Sequence, residues 1–197
     1  MERLRTAFAV ALVMLGASIA ALGGDAPAAD VLAPMAATPL SCPLTMDGLL
    51  SMDRASLESL YRSAAPGTPP VGVFAGKATP APGTSEGLRK SKVIGVLWKG
   101  KVISEDVMVN RLPFGVRAVK ADVYTGESFL DGRPSTILDY ANTSRLFRAD
   151  RDEVREVAPG LYLGLTYVRK CPTPKLAMVF ALQTLSDCPN LRGKGNR

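Results

Sequence analysis

The chain reads as mainly β: an antiparallel curved sheet or small barrel with an N-terminal helical segment. Three observations predict this. From Val71 onward apolar residues recur with a period of two. The strand-like runs are short and are separated by turn residues such as Asp131-Gly132, Pro159-Gly160 and Pro172-Thr173-Pro174. Firm helical spacing is confined to the stretch before Val71. Short strands joined by turns must hide their edges and one face, which a curved or closed antiparallel sheet does. The helical segment is expected to plug or cover one end.

The first element is not part of that domain. MERLR, a basic tip, runs into the apolar TAFAVALVMLGASIAALGG and an Ala/Pro-rich stretch, which is the layout of a secretory signal. Residues 1–24 are read as the signal peptide, with the mature chain starting between Ala21 and Asp30 and working outside the cytoplasm, in the periplasm or secreted. The rival is an uncleaved anchor, since the apolar run is almost long enough to cross a bilayer. Ser18-Ile19-Ala20 and Ala26-Pro27-Ala28 favour cleavage because a signal peptidase needs small residues there. Residues 25–44 carry few large apolar groups and read as a flexible spacer, 45–187 as a single β-rich domain with its N-terminal helix, and 188–197 as a basic tail.

Within the domain, Met46, Leu49, Leu50, Leu57, Leu60 and Tyr61 recur at helical spacing, with a break near Ser51-Met52-Asp53 where a second helix can be capped. Pro66, Gly67, Pro69 and Pro70 end this segment. VGVFAGKA then predicts a short strand. KVIGVLWKGKVI predicts another, with Ile94, Val96, Trp98 and Val102 on one face and Gly95, Lys99 and Lys101 on the other. GVRAVKADVYTG alternates Val119, Ala121 and Val123 against Lys120 and Asp122, and RPSTILDY, LYLGLTYVRK and KLAMVFALQT predict three more strands. Between them, LFRADRDEVREVAPG predicts a short helix over 149–157, in which Arg148 meets Asp152 and Asp152 meets Arg155 as surface pairs.

Composition excludes more than it names. The 197 residues contain no histidine, which removes Ser-His-Asp and Cys-His machinery and the commonest zinc ligand. No CxxC, phosphate-binding Gly-rich loop or nucleophile elbow is present, so no metal and no cofactor are expected. An enzyme here would need carboxylate, lysine, tyrosine or cysteine chemistry; the reading leans away from catalysis and assigns no catalytic residue. The net charge of +6 is spread over the signal, the tail and mixed-sign surface. Arg89, Lys90, Lys92, Lys99 and Lys101 form a local basic cluster, either a solvated strand face or a phosphate site. The cluster lacks the interleaved aromatics of a nucleic-acid groove, so no nucleic-acid partner is expected, and a membrane enters only through the uncleaved anchor.

Two strands are apolar on both faces. In LYLGLTYVR, Leu161, Leu163, Leu165 and Tyr167 oppose Tyr162, Thr166 and Val168; in LAMVFALQT, Met178, Phe180 and Leu182 oppose the small Ala177, Val179 and Ala181. Small residues on an inner face leave room for an apolar ligand, whereas a helix packed on that face would fill it. Trp98, Tyr162 and Phe180 are the expected pocket walls. The functional alternative to the surface pairing in LFRADRDEVREVAPG is that Asp139, beside Tyr140 on the face of Ile137, points inward and meets Arg151 or Arg155, orienting a ligand's polar head or acting as an acid/base pair.

WKGKV, NRLPFG, YTGESFLDGRPSTILDY and RDEVREVAPGLYLG together resemble a family of uncharacterised exported bacterial proteins. More distantly the chain resembles the domains of unknown function named for a GxWxG motif, although here Val96 and Leu97 separate Gly95 from Trp98. The resemblance covers about the last two thirds of the chain and implies a lipocalin-like β-barrel. Three functions follow: a carrier or sensor of a small lipophilic molecule, which is preferred; a cofactor-free extracytoplasmic enzyme using Asp, Tyr and Arg; and a structural or partner-binding module with a filled core.

Three cysteines allow one disulfide. KLAMVFALQT lies as a strand between Cys171 and Cys188, and about nine residues at roughly 3.4 Å each put them some 30 Å apart, beyond the reach of a disulfide. Cys42, on the spacer, is expected to pair with Cys188 and staple the two ends of the domain.

Overall fold

The computed structural model describes residues 43–66 and 68–185. The signal peptide, most of the spacer, Cys42, Cys188 and the basic tail lie outside the described residues.

Two short helices come first, α1 (Met46–Ser51) and α2 (Arg54–Ser63). Each starts on a side-chain cap that satisfies an otherwise orphaned amide: Thr45 Oγ1 accepts from the Gly48 N–H at 3.0 Å, and Asp53 Oδ1 from the Ser56 N–H at 2.9 Å. The corner falls at Met52, where the spacing of apolar residues breaks. After β1 (Gly72–Thr79) comes a third helix, α3 (Ser85–Leu97), and then seven strands: β2 (Gly100–Ile103), β3 (Val107–Arg111), β4 (Arg117–Glu127), β5 (Pro134–Asp139), β6 (Asp150–Ala158), β7 (Leu161–Val168) and β8 (Lys175–Thr184). Neighbours in sequence pair antiparallel throughout, and β8 pairs back onto β1, with Ala78 opposite Phe180. The sheet is therefore a closed eight-stranded barrel, the closed form of the predicted curved sheet.

Three elements differ from the sequence reading. Strand β3 falls in VMVNR, a run to which that reading assigns no element. The residues up to Leu97 in KVIGVLWKGKVI end a helix. Thr84 Oγ1 caps it by accepting from the Gly87 N–H at 2.9 Å, and Glu86 pairs with Lys90 one turn on. Val93, Ile94 and Val96 mimic a strand pattern, but only Ile94 is buried among them. Conversely, 149–157 is no helix: Asp150–Ala158 is strand β6, and its charges find partners on other elements rather than along a helix.

The helices also exchange roles. α1 and α2 do not plug an end. Their Leu49, Leu57 and Tyr61 pack on the outside of the wall against Leu161, Leu163, Leu165, Tyr167, Val179 and Ala181. This explains why β7 and β8 are apolar on both faces: one face meets the helices and the other the lumen. The small residues Val179 and Ala181 face the helices, and the large Phe180 and Leu182 fill the lumen, the reverse of what an open apolar cavity needs. α3 is the element that covers an end, through Ile94 and the following Trp98.

Candidate functional site

The covered end is where β1, β3, β5 and β7 finish and β2, β4, β6 and β8 start. Here strand parity turns several polar side chains inward. Lys101, two residues before Ile103, shares its lumen face; Asn110 shares that of Met108, and Asp152 that of Val154. Lys101 and Asp152 are each only 3 % exposed.

They form one connected network. Lys101 Nζ donates to Asp152 Oδ2 at 3.0 Å, to Tyr140 Oη at 2.9 Å and to Asn110 Oδ1 at 3.1 Å, which uses all three ammonium protons. Tyr140 donates to Asp152 Oδ2 at 3.0 Å, Thr166 Oγ1 donates to Asp152 Oδ1 at 2.7 Å, and Trp98 Nε1 donates to Asn110 Oδ1 at 2.9 Å. The ammonium also lies 5.2–5.7 Å from the ring centroids of Phe180, Trp98 and Tyr140, within cation–π range. Burial, followed by the Asp152 carboxylate, pushes the Tyr140 hydroxyl well above its usual range, so it stays protonated and can donate.

Above this floor the walls are apolar: Ile94, Val119, Phe147, Met178 and Phe180, with Trp98 edge-on to Phe180 at 6.0 Å. The cavity between them is about 50 Å³, room for a few waters and far below the roughly 300 Å³ at which drug-sized pockets begin. Two glycines let the rings sit so deep. A Cβ on Gly76 would lie 2.4 Å from the Trp98 ring, and one on Gly164 2.0 Å from the Phe180 ring. At the mouth, Asp150 stands two residues from Asp152 on the same strand face. Burial, then the charge of Asp152, raises its carboxyl to about 7 against the opposing pull of Arg169. The site thus combines an internally hydrogen-bonded polar floor, apolar walls, and at its mouth a carboxyl whose proton exchanges near neutral pH.

Of the residues picked from sequence, Trp98, Tyr140 and Phe180 meet here. Tyr162 faces the lumen lower down, edge-on to Phe74 at 5.5 Å. Asp139, Arg151 and Arg155 do not point inward; parity puts all three on the outside of the barrel. Asp139 accepts from Arg169, from Tyr124 Oη at 2.8 Å and from the Ala141 N–H at 2.9 Å. Burial raises its carboxyl, but these three donors outweigh it and the net shift is downward. Arg151 pairs with the fully buried Glu153, and Arg155 forms a two-pronged pair with Asp131 at 2.7 and 2.8 Å. Neither arginine reaches Tyr140.

Lys101, Asn110, Asp150, Asp152 and Thr166 are the site residues that the sequence reading missed. A signal existed for three of them. Lys101, Asn110 and Asp152 each share strand parity with a large apolar neighbour, Ile103, Met108 and Val154, and a polar residue in that register is an inward one. Counted from Ile94, the run puts Lys101 on the opposite face, but the helix end at Leu97 resets the phase.

No protein-family model and no curated protein matches this chain. Among solved structures, a protein from Thermomonospora curvata is similar, with 21% sequence identity and a TM-score of 0.46 over 68% of this chain and 88% of that one.

Proposed function

We propose that this chain is an exported, lipocalin-like barrel that binds a small, partly apolar ligand at the α3-covered end of its lumen, as a carrier or sensor. The observation that carries the reading is the buried Lys101–Tyr140–Asp152 floor beneath aromatic walls. A lumen filled for stability alone would be apolar, because a buried ion pair rarely outperforms hydrophobic residues of the same volume. A polar floor under apolar walls is instead what orients an amphipathic molecule. The cavity of about 50 Å³ restricts the ligand to a small molecule or the tip of a larger one. The basic tip and apolar run at the N-terminus support export, as does the resemblance to exported proteins.

The test is native mass spectrometry of protein purified from its own host, followed by titration of Trp98 emission with short-chain fatty acids, retinoids and hydrophobic dyes. A retained molecule, and a Trp98 response abolished in Lys101→Met, are expected. A folded protein with no retained molecule and no Trp98 response would leave a filled-core structural or partner-binding module. Asp150 favours a second reading, a cofactor-free enzyme. A carboxyl of about 7 at the mouth, next to Tyr140 and Lys101, is suited to proton transfer. Its mark would be turnover of a bound carbonyl or hydroxyl compound with a pH profile that disappears in Asp150→Asn.

A further inference from the structure

The outside of the covered end carries a second feature that ligand binding does not use. Ile94 points from α3 into the lumen, and at 100° per residue Arg89, Lys92 and Val96 lie on the opposite side of the helix, flanked by Leu88 and Val93. All five are exposed. Beside the end of α3, the turn between β3 and β4 lifts Phe114 to 98% exposure in a left-handed conformation, φ 59°. A bulky residue in that conformation is strained, and here the strain presents a ring to solvent. Lys99, Arg111 and Arg117 line the groove below that ring.

From this arrangement we infer that the α3 face and the Phe114 tip dock the barrel, covered end first, onto an anionic lipid bilayer. Charge complementarity names the partner. Between Gly87 and Ser104, and again from Val107 to Ala121, the sequence has no acidic residue; the sole carboxylate of α3, Glu86, is paired with Lys90. A protein interface would gather its apolar side chains into a continuous patch and shed lysine. Here single apolar side chains alternate with Lys and Arg, the pattern that puts rings and aliphatic groups at the headgroup boundary while long basic chains reach phosphates. The inference does not depend on what the lumen binds.

The experiment uses the full chain, and because the apolar run near its N-terminus can itself seek membranes, the readout is local to the tip. Phe114→Trp is mixed with phosphatidylglycerol vesicles that contain brominated phosphatidylcholine. Phe129→Trp, in the turn at the opposite end of the barrel, is the matched control, with Trp98 as a common background. Residue 114 is expected to shift to the blue and be quenched, residue 129 is not, and the difference should shrink with added salt. Arg89→Glu with Lys92→Glu should weaken tip quenching about tenfold or more. If Phe114→Trp fails to fold by circular dichroism, Val116→Trp carries the probe. An unquenched tip on a chain that sediments with vesicles, or equal quenching at both ends, overturns the inference; absence of any vesicle response does so too and leaves the patch to a protein partner.

Discussion

Asp150 shows how a single side chain ties the site to solution conditions. Its carboxyl is raised from the ordinary 3.8 to about 7, so between those values the folded protein keeps a proton that the unfolded chain gives up. The stability it confers is complete below about pH 4 and is lost as pH rises through 7. Asp150→Asn removes that loss. The variant should match the native protein below about pH 4 and exceed it by on the order of 1–2 kcal/mol at about pH 8, after allowing for solvent screening at the mouth. Urea midpoints at the two pH values check this, and an unchanged gap would mean that Asp150 ionises normally. Gly164 tests the packing instead. Its missing Cβ would lie 2.0 Å from the buried Phe180 ring, so Gly164→Ala should cost about 1–3 kcal/mol. Phe180→Leu in the same chain should recover part of it, since a shorter side chain vacates the contact.

Strand β6 is the element in which sequence and structure part most sharply. ADRDEVREV has the charge spacing of a surface helix, and nothing local argues against one. In the barrel its two faces do different work. Asp150 and Asp152 turn to the lumen, while Arg151, Glu153 and Arg155 turn outward under the β4–β5 turn and α2. Arg155 is the clamp between those parts: it donates to Asp131, to the Tyr61 carbonyl at 3.0 Å and to the Arg133 carbonyl at 3.0 Å, and its guanidinium carbon lies 4.4 Å from the centre of the Tyr61 ring. The donated bonds hold the Asp131 carboxyl below its usual range. Arg155→Ala strands a carboxylate and several carbonyls at once and should cost about 3 kcal/mol or more. Amides of Arg54–Ser63 should then exchange hydrogen faster than those of β7; equal protection in both proteins would show that α2 docks through Leu57 and Tyr61 alone.

At the scale of the whole molecule, β8 separates what lies at either end of the barrel. Exposed Cys171 precedes Lys175 at the covered end, and Thr184 ends the strand at the other. α1 packs on the outer wall over β1 and β8, where Asp47 meets Lys77, the sheet partner of Ala181, three residues before the end of β8. Non-reducing peptide mapping should therefore return a Cys42–Cys188 peptide and an alkylatable Cys171; a Cys171–Cys188 peptide would contradict the β7–β8 hairpin. The hairpin strands themselves were legible. Period-two alternation and turn residues determine β1, β4, β5, β7 and β8 from sequence, because both signals act between neighbours in the chain, and the caps at Thr45 and Asp53 do the same for α1 and α2. Parity divides a strand into two faces but does not say which face is enclosed. That was decided only when β8 closed on β1 and the helices took the outer wall, which sent Asp139 and Arg155 outward and Lys101 and Asp152 inward. The site rests on the same kind of long-range event: Lys101 meets Asp152 from 51 residues away, a distance over which no local pattern carries information and only closure of the barrel brings the charges together.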